Sequence, residues 1–451
     1  MESVIIISVC SRLIAKSAIL IKSPQSLKYA NTAYDLYKGS NESLKKYQQK
    51  LLFCILEDSA KNVPYYKEIF KDVSINSISE TEKYLEMLPV LNKDIIRDNF
   101  DKLSSNNKHR RPYINTSGGS TGEPVRFLQD KEYYSKNFGD KILFGMLNDK
   151  LPGDFEVKLW GSERDVIKGS IGIKEKIINF IYNREFINSF IMDDSHMMNA
   201  IQTICKKKPV QIWSYADSIY ELSKYILSNN ITVFSPKNII TTAGVLYPEM
   251  RQIINLAFPN SRVLNQYGSR EVGVIGIEIG GGECIRVFDH SVYLEVLTDN
   301  GKICKEGTGQ LLVTSLINYS MPLIRFNIGD VATISKVDPL MEGSFSLITN
   351  LQGRVNSHFK RDDGKIIHGE YFTHIFYNKD WIKNFQVIQN SYYDIDFLLE
   401  LKKDTCANED DINSMKKDVE AVMGKCNINI RYVKEIPKLD SGKYQFVISK
   451  V

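Results

Sequence analysis

Asn115-Thr-Ser-Gly-Gly-Ser-Thr-Gly-Glu-Pro124 packs four hydroxyl residues and three glycines into ten positions, the composition of a loop that wraps N–H and O–H donors around phosphate oxygens. Gly118, Gly119 and Gly122 admit backbone conformations closed to other residues and let the chain approach an anion closely, while Thr116, Ser117, Ser120 and Thr121 supply hydroxyls. A nucleotide is the ligand this points to. The competing reading is a flexible Ser/Gly linker, against which stand an extended Arg110-Arg-Pro-Tyr-Ile114 run on one side and a Val125-Arg-Phe127 strand on the other. No Lys follows the last glycine, so this is not the Gly-x-x-x-x-Gly-Lys-Ser/Thr phosphate loop.

Upstream, apolar residues at Leu44, Tyr47, Leu51 and Ile55 recur at spacings of three and four, predicting an amphipathic helix over 43–62 that Val63-Pro64 ends. Asn92 is placed to cap a second helix through Ile95, Ile96 and Phe100. Residues 1 to about 110 thus read as a mainly helical N-terminal region. Downstream, strand-like runs (155–160, 210–213, 238–242) alternate with helical ones (a long helix around 171–190, another over 217–229), the pattern of α/β layering. After Gly273 come short strands with Gly-rich turns, at 293–297, 309–314 and 331–334, which predict an antiparallel sheet or distorted barrel. Beyond Leu351-Gln-Gly-Arg-Val-Asn356 follow about 95 residues, with strands near 385–388 and 394–401 and a helix near 411–423, read as a small mobile α+β domain.

Size and composition set outer bounds. A chain of 451 residues exceeds what one core serves, so two or three domains are expected, and 43% apolar residues suffice to build them. The 58 basic and 54 acidic side chains are mixed throughout, with no basic stripe of the kind that binds nucleic acid. Seven scattered cysteines without a Cys-x-x-Cys pair fit a reducing cytoplasm. The run Val4–Val9, followed by Cys10–Lys16, has its positive charges on the wrong side for a secretory signal and is too short to span a bilayer. It reads as an amphipathic helix lying on the body of the protein, with a membrane-surface helix as the other option, and its apolarity is compatible with a homodimer. His196, His290, His358 and His368 show no metal-ligand spacing.

Four further motifs follow the glycine loop in order: Thr241-Thr-Ala-Gly-Val245, Asn265-Gln-Tyr-Gly-Ser-Arg-Glu271, Pro322-Leu-Ile-Arg-Phe-Asn-Ile-Gly-Asp330 and Gly353-Arg354, with Pro437-Lys-Leu-Asp-Ser-Gly-Lys443 near the end. Singly each is weak; Asp330 after Gly329 could be a turn pair, and Arg325 could be a structural cation tied to a nearby carboxylate. As an ordered set they resemble the adenylate-forming superfamily of acyl-CoA synthetases, luciferases and peptide-synthetase adenylation domains. The likeness is strongest to the phenylacetate-CoA ligase branch with its capsule-biosynthesis, CapK-like homologues, which Val63-Pro-Tyr-Tyr66 and Leu88-Pro-Val-Leu-Asn-Lys93 also match.

The resemblance implies an α/β fold: a large N-terminal adenylate-forming domain of layered α/β sheets plus a distorted barrel (1–355), and a small mobile C-terminal domain (356–451) carrying Lys443. It implies ATP and Mg2+ as cofactors, a small carboxylic acid as substrate, and coenzyme A or a carrier-protein phosphopantetheine as acyl acceptor. The loop Thr116–Gly122 would hold the β- and γ-phosphates, Glu271 would help bind the metal, and Tyr267, flanked by Gln266 and Gly268, would lie against adenine. Ala243 and Gly244 would line the adenine slot, Asp330 would accept from both ribose hydroxyls, and Arg354 would assist at the ribose or phosphates. Lys443 would reach the carboxylate and α-phosphate, and Trp213, Ser214, Tyr215, Asp217 and Leu264 are candidates for the acid pocket. Trp213 and Tyr215 read equally as core aromatics.

Two positions depart from the family pattern. Asn356 stands at the hinge usually held by Asp or Lys, and Glu123 stands in the phosphate loop where many relatives have Lys. The products would serve surface-polysaccharide decoration. The alternatives are transfer of the activated acyl group directly to an amine, and a nucleotide-binding homologue that has lost the chemistry.

Overall fold

The parallel strands form because their residues leave little choice. Val157, Leu159, Ile212, Ile239, Ile240, Val263 and Leu264 are all buried, and strands covered on both faces read as near-continuous apolar runs. In the computed structural model, which describes all residues except Met1, 118–124, 161–172, 190, 245, 281–283, 336–345, 353–358, 368, 377, 378, 380 and 437–445, β3 (Glu156–Trp160), β4 (Arg184–Asn188), β6 (Gln211–Tyr215), β7 (Asn238–Thr242) and β8 (Arg262–Ser269) pair in parallel in the order β8-β7-β6-β3-β4.

One face of these strands carries Ile212, Ile239 and Val263 and packs on the helices Asp194–Lys207, Ala216–Ser228 and Pro248–Ala257. The other carries Trp213, Ile240 and Leu264 and packs on α1 (Glu2–Lys22), α2 (Pro24–Lys38) and α8 (Lys131–Leu147). The α2/α8 crossing is close because position 139 is glycine: a Cβ there would stand 2.8 Å from Tyr29 Cδ1 and 2.9 Å from the Ser26 carbonyl. Among the described residues no helix is long and apolar enough to cross a membrane. The helix α1 lies on the body through buried Ala15 and Ile19 and an Arg12–Asp154 ion pair of 2.6 Å, while Leu13, Ile14 and Ile21 point outward.

The expected antiparallel strands continue the same sheet. Strand β9 (Gly273–Ile277) pairs antiparallel with β8, and beyond it lie β10 (Ile285–Val287), β15 (Leu347–Gln352), β14 (Phe326–Ser335), β13 (Gly307–Ser315), β11 (Val292–Leu297) and β12 (Ile303–Cys304). The helices from α3 (Asn41–Asn62) to α7 (Phe100–Leu103) cover this part through Leu52, Leu56 and Tyr66, joined by Leu91 of the connecting segment, which bridges to Phe326. Asn92 caps α6 (Lys93–Asp98) as its position in the sequence predicts, accepting from Ile95 N at 2.8 Å.

One expectation needs correction. The stretch 171–190 is not a single helix: a helix spans Ile173–Ile181, Asn183 turns left-handed at φ +49°, and Arg184–Asn188 becomes the edge strand β4. A β-branched and aromatic run (Phe186, Ile187) next to an open strand edge gains a ladder by pairing with β3, and asparagine tolerates the turn that permits it.

The C-terminal residues build a separate four-stranded sheet in the order β20-β19-β18-β21 (Asn427–Tyr432, Asp394–Leu401, Ile382–Gln389, Val447–Ser449), backed by the helix Glu409–Met423. It joins the larger body where β17 (Ile366–Ile367) pairs antiparallel with β5 (Ile191–Met192). Lys365 reaches Asp193 there at 3.2 Å. Burial alone would raise the Asp193 carboxyl, but hydrogen bonds from Ser195, His196 and Lys365 outweigh it and hold it well below the usual carboxylate range.

Candidate functional site

In an open parallel sheet, ligands bind beyond the carboxyl ends of the strands. Here those ends are Trp160, Tyr215, Thr242 and Gln266, on the face that carries Trp213. Strand β7 runs out into Ala243, which adopts φ +61°, and Gly244, where an added Cβ would be in ordinary contact with Ala216 and with Asp217 Oδ2 at 3.6 Å. Asp217 is therefore beside the Ala243–Gly244 backbone, in the first turn of the helix Ala216–Ser228.

Two bulges bring Tyr267 and Asp330 together. The register between β8 and β9 shifts after Tyr267, where a Cβ on Gly268 would meet the Gly273 carbonyl oxygen at 2.4 Å. The register between β13 and β14 shifts between Gln310 and Leu312, leaving Ile328 to Asp330 looped out around Gly329 at φ +86°. Gly329 and Asp330 thus lie inside a bulged strand rather than a simple turn, and bulges re-aim side chains beside sites. The result is a 2.8 Å hydrogen bond from Tyr267 Oη to Asp330 Oδ2, both side chains half-buried. Next to it Gln266 Oε1 is buried with no hydrogen-bond partner among the described residues. An orphaned buried acceptor is costly unless a ligand donates to it.

Glu271 follows on the β8–β9 turn and is only 6% exposed. Lys93 Nζ stands 3.9 Å from its Oε1. That lysine is delivered by the segment 88–93, which is pinned to β14: Leu91 N donates to the Arg325 carbonyl at 3.0 Å and Asn327 N to the Leu91 carbonyl at 2.8 Å. Beside Glu271, Tyr133 Oη and Ser269 Oγ are buried without partners among the described residues. Burial, then the charges of Asp140 and Glu271 among its neighbours, pushes the Tyr133 phenol above its ordinary range, so it stays a neutral donor.

The hairpin of β1 (Tyr113–Thr116) and β2 (Arg126–Gln129) docks next to this cluster through Gln129, which donates to the Arg270 carbonyl at 2.9 Å. Ser117 closes the base of the loop: its N donates to the Val125 carbonyl at 2.9 Å and its Oγ accepts from Val125 N at 2.8 Å. Thr116 ends β1, half-buried. Gly118, Gly119, Ser120, Thr121 and Gly122 of the loop, Arg354, the hinge position Asn356 and Lys443 lie outside the described residues.

Of the acid-pocket candidates, Trp213 and Tyr215 share the α8 face, as strand alternation requires. Ser214 points to the opposite face, fully buried, its Oγ donating to the Tyr215 carbonyl at 2.9 Å, so it does not line this face. Leu264 is on the correct face but fully buried in the core. Tyr215 packs against Trp160, ring centres 4.4 Å apart and tilted by 33°, and belongs to the same apolar cluster as Phe359, Tyr371 and Phe446, so the C-terminal sheet covers this edge of the strand ends. Arg325 is the structural cation of its two readings: it gives Glu295 hydrogen bonds of 2.9 and 2.7 Å and the Leu88 carbonyl one of 3.2 Å.

Three residues were not singled out from sequence: Lys93 beside Glu271, and Lys158 and Trp160 on the Trp213 face. Lys93 sat in a motif already quoted. Lys158 and Trp160 alternate within an apolar strand, and nothing but their facing told them from core. Among the described residues no cluster of three or more metal-ligating side chains occurs.

A family model described as the CapK C-terminal domain matches residues 359–450. Protein CapK of Staphylococcus aureus is 26% identical over 438 residues, covering 95% of this chain and 92% of that protein. Among solved structures, 2-hydroxyisobutyryl-CoA ligase with 2-HIB-AMP and CoA in the thioesterification state superposes with a TM-score of 0.57 at 14% identity, over 92% of this chain and 91% of that one. An open conformation of that ligase with 2-HIB-AMP and CoA gives 0.53 at 13% identity, over 89% and 90%. The chain thus has the fold of the adenylate-forming ligases and, in sequence, resembles CapK over nearly its whole length, with a CapK-type C-terminal domain at 359–450.

Proposed function

We propose that this protein is an ATP- and Mg2+-dependent acid ligase. It joins a small carboxylic acid to the α-phosphate of ATP with release of pyrophosphate, then passes the acyl group to the thiol of coenzyme A or a carrier-protein phosphopantetheine. The observation that carries this reading is the Tyr267–Asp330 bond of 2.8 Å at the strand ends, made across 63 residues by two bulges. A phenol ring beside a carboxylate with further acceptor sites suits a nucleoside: the ring covers adenine, and Asp330 accepts from the ribose hydroxyls. The buried Gln266 Oε1 has the chemistry to accept from the adenine amine.

A carboxylate attacking phosphorus must overcome the repulsion of two anions, so cations and donors have to converge there. Glu271 fits a magnesium ion bound chiefly by phosphate and water, since such ions take one or two protein carboxylates rather than a full cage. The ion would neutralise phosphate charge. Lys93 beside Glu271, the Ser117-based loop, Arg354, and Lys443 brought in by residues 356–451 turning about Asn356 supply the remaining positive charge and donors. Use of the product in surface-polysaccharide decoration follows the CapK-like sequence likeness.

Pyrophosphate exchange into ATP, screened over aryl, amino, hydroxy and dicarboxylic acids, tests the reading. Exchange with one class of acid, followed by product formation on adding coenzyme A, is the expected result. Formation of product only with an added amine would replace the thiol step by amide formation. Silence across the panel with ATP still bound would leave a nucleotide-binding protein without the chemistry.

A further inference from the structure

Strand β3 carries Lys158 on the α8 face, directly across from Trp213 and two residues short of Trp160. At about 3.3 Å per residue this sets the lysine roughly 7 Å below the strand-end crest. Its amine lies 4.9 Å from the centre of the Trp213 ring, and that ring, held edge-on by Phe144 at 5.7 Å, is only half-buried. The floor beneath the crest is therefore an indole face topped by an ammonium, with 24% of the lysine side chain still open to solvent.

Among the described residues the charge around this lysine does not balance. Lys141 from α8, Lys150 from the following turn and Arg184 from β4 all bear on it, and Glu156 is the described carboxylate that answers them. Glu156 is already held by Lys150 at 2.7 Å, and Lys158 reaches it only at 3.8 Å. Asp140, which acts on Lys141, is bonded to His290 Nε2 and Ser291 Oγ, each at 2.8 Å. Burial, with Arg184, Lys141 and Lys150 behind it, pushes the Lys158 amine down to about 8 despite Glu156. A largely desolvated ammonium that shares its one described carboxylate with a closer lysine is costly to keep charged, and an entering anion offsets that cost.

We propose that the acid this protein activates carries a second anionic group, carboxylate or phosphate, which Lys158 holds at the floor of the pocket while the reacting carboxyl sits at the crest. Lys158 then sets specificity without touching the reacting atoms. The inference rests on the strand-end crest being the site of adenylation.

Matched acids test it by pyrophosphate exchange: butanoate against succinate, hexanoate against adipate, phenylacetate against 4-carboxyphenylacetate, and 3-phosphonopropionate as the phosphate-like arm. The wild type is expected to favour the doubly charged member of at least one pair by about 100-fold in kcat/KM, the scale of discrimination a buried charged partner gives. Lys158→Met should erase that preference through KM, leaving exchange with the monocarboxylate within about threefold, and Lys158→Arg should retain part of it. The KM for the doubly charged acid should also rise above pH 8 as the amine loses its proton, and Lys158→Arg should remove that rise. Preference for the monocarboxylates in the wild type, or a Lys158→Met loss equal for both members of each pair, overturns the inference while the ligase reading stands. Exchange with no acid at all overturns both.

Discussion

Replacing Arg325 by Met separates a structural cation from a catalytic one. The substitution removes the guanidinium that holds Glu295 in a bidentate grip and the Leu88 carbonyl at 3.2 Å, where the two charged side chains are 6% and 7% exposed. What remains is a buried carboxylate without its counter-charge, a loss of about 3–5 kcal/mol, with roughly 1 kcal/mol more for the stranded carbonyl. At about 2 °C per kcal/mol for a unit of this size, the thermal midpoint should fall by roughly 8–12 °C. Adding Glu295→Leu should restore most of it, because exchanging a whole buried ion pair for apolar side chains is close to neutral. Calorimetric midpoints of the three proteins decide this, with ATP binding measured by titration well below the lowest midpoint. ATP affinity should stay near wild type throughout. A midpoint unchanged in Arg325→Met together with lost ATP binding would refute the reasoning and move Arg325 into the site.

Asp330→Asn should weaken ATP binding by about 10- to 100-fold and Tyr267→Phe by up to about tenfold, read by calorimetric titration, since one removes a charged acceptor and the other a single hydrogen bond of 2.8 Å. Lys443→Ala should slow pyrophosphate exchange by roughly 10^2- to 10^3-fold while leaving acyl transfer from a supplied acyl-adenylate intact, measured in single turnover. Burial alone would raise the Glu156 carboxyl, but Lys150, Lys158 and Arg184 hold it at about 2 against an ordinary value of 4.5. The native state therefore binds fewer protons than the unfolded one in that window: the contribution, on the order of 3 kcal/mol, is complete above pH 4.5 and is lost as pH falls through 2. Glu156→Gln should flatten the acid limb of the midpoint-against-pH curve, and an unchanged limb would remove Glu156 from the account.

The sequence made parts of this legible and hid others for physical reasons. Strands β3, β6 and β7 were readable because burial on both faces leaves a continuous apolar run, and Asn92 was readable because a cap depends on neighbours three residues away. Strand β4 was hidden because Arg184 to Asn188 mixes polar and apolar residues after a helical stretch, and only pairing with β3 makes it a strand. The meeting of Tyr267 with Asp330 depends on two bulges at Gly268 and Gly329, so it could not be derived from spacing, and the resemblance gave the two residues separate roles, at adenine and ribose, without a bond between them. Ser214 shows the reverse error: it sits between two pocket candidates, yet the two-residue period of a strand turns it to the other side.

Oxygen transfer from substrate to AMP tests the central claim most directly. The preferred acid, labelled with oxygen-18 in both carboxyl oxygens, is turned over with ATP and its acceptor, and the AMP is analysed by mass spectrometry. Attack of the carboxylate on the α-phosphorus leaves one substrate oxygen on the phosphate when the acyl carbon is transferred, so AMP should carry one labelled oxygen per turnover. Unlabelled AMP, or ADP and phosphate in place of AMP and pyrophosphate, would contradict adenylation in this crevice.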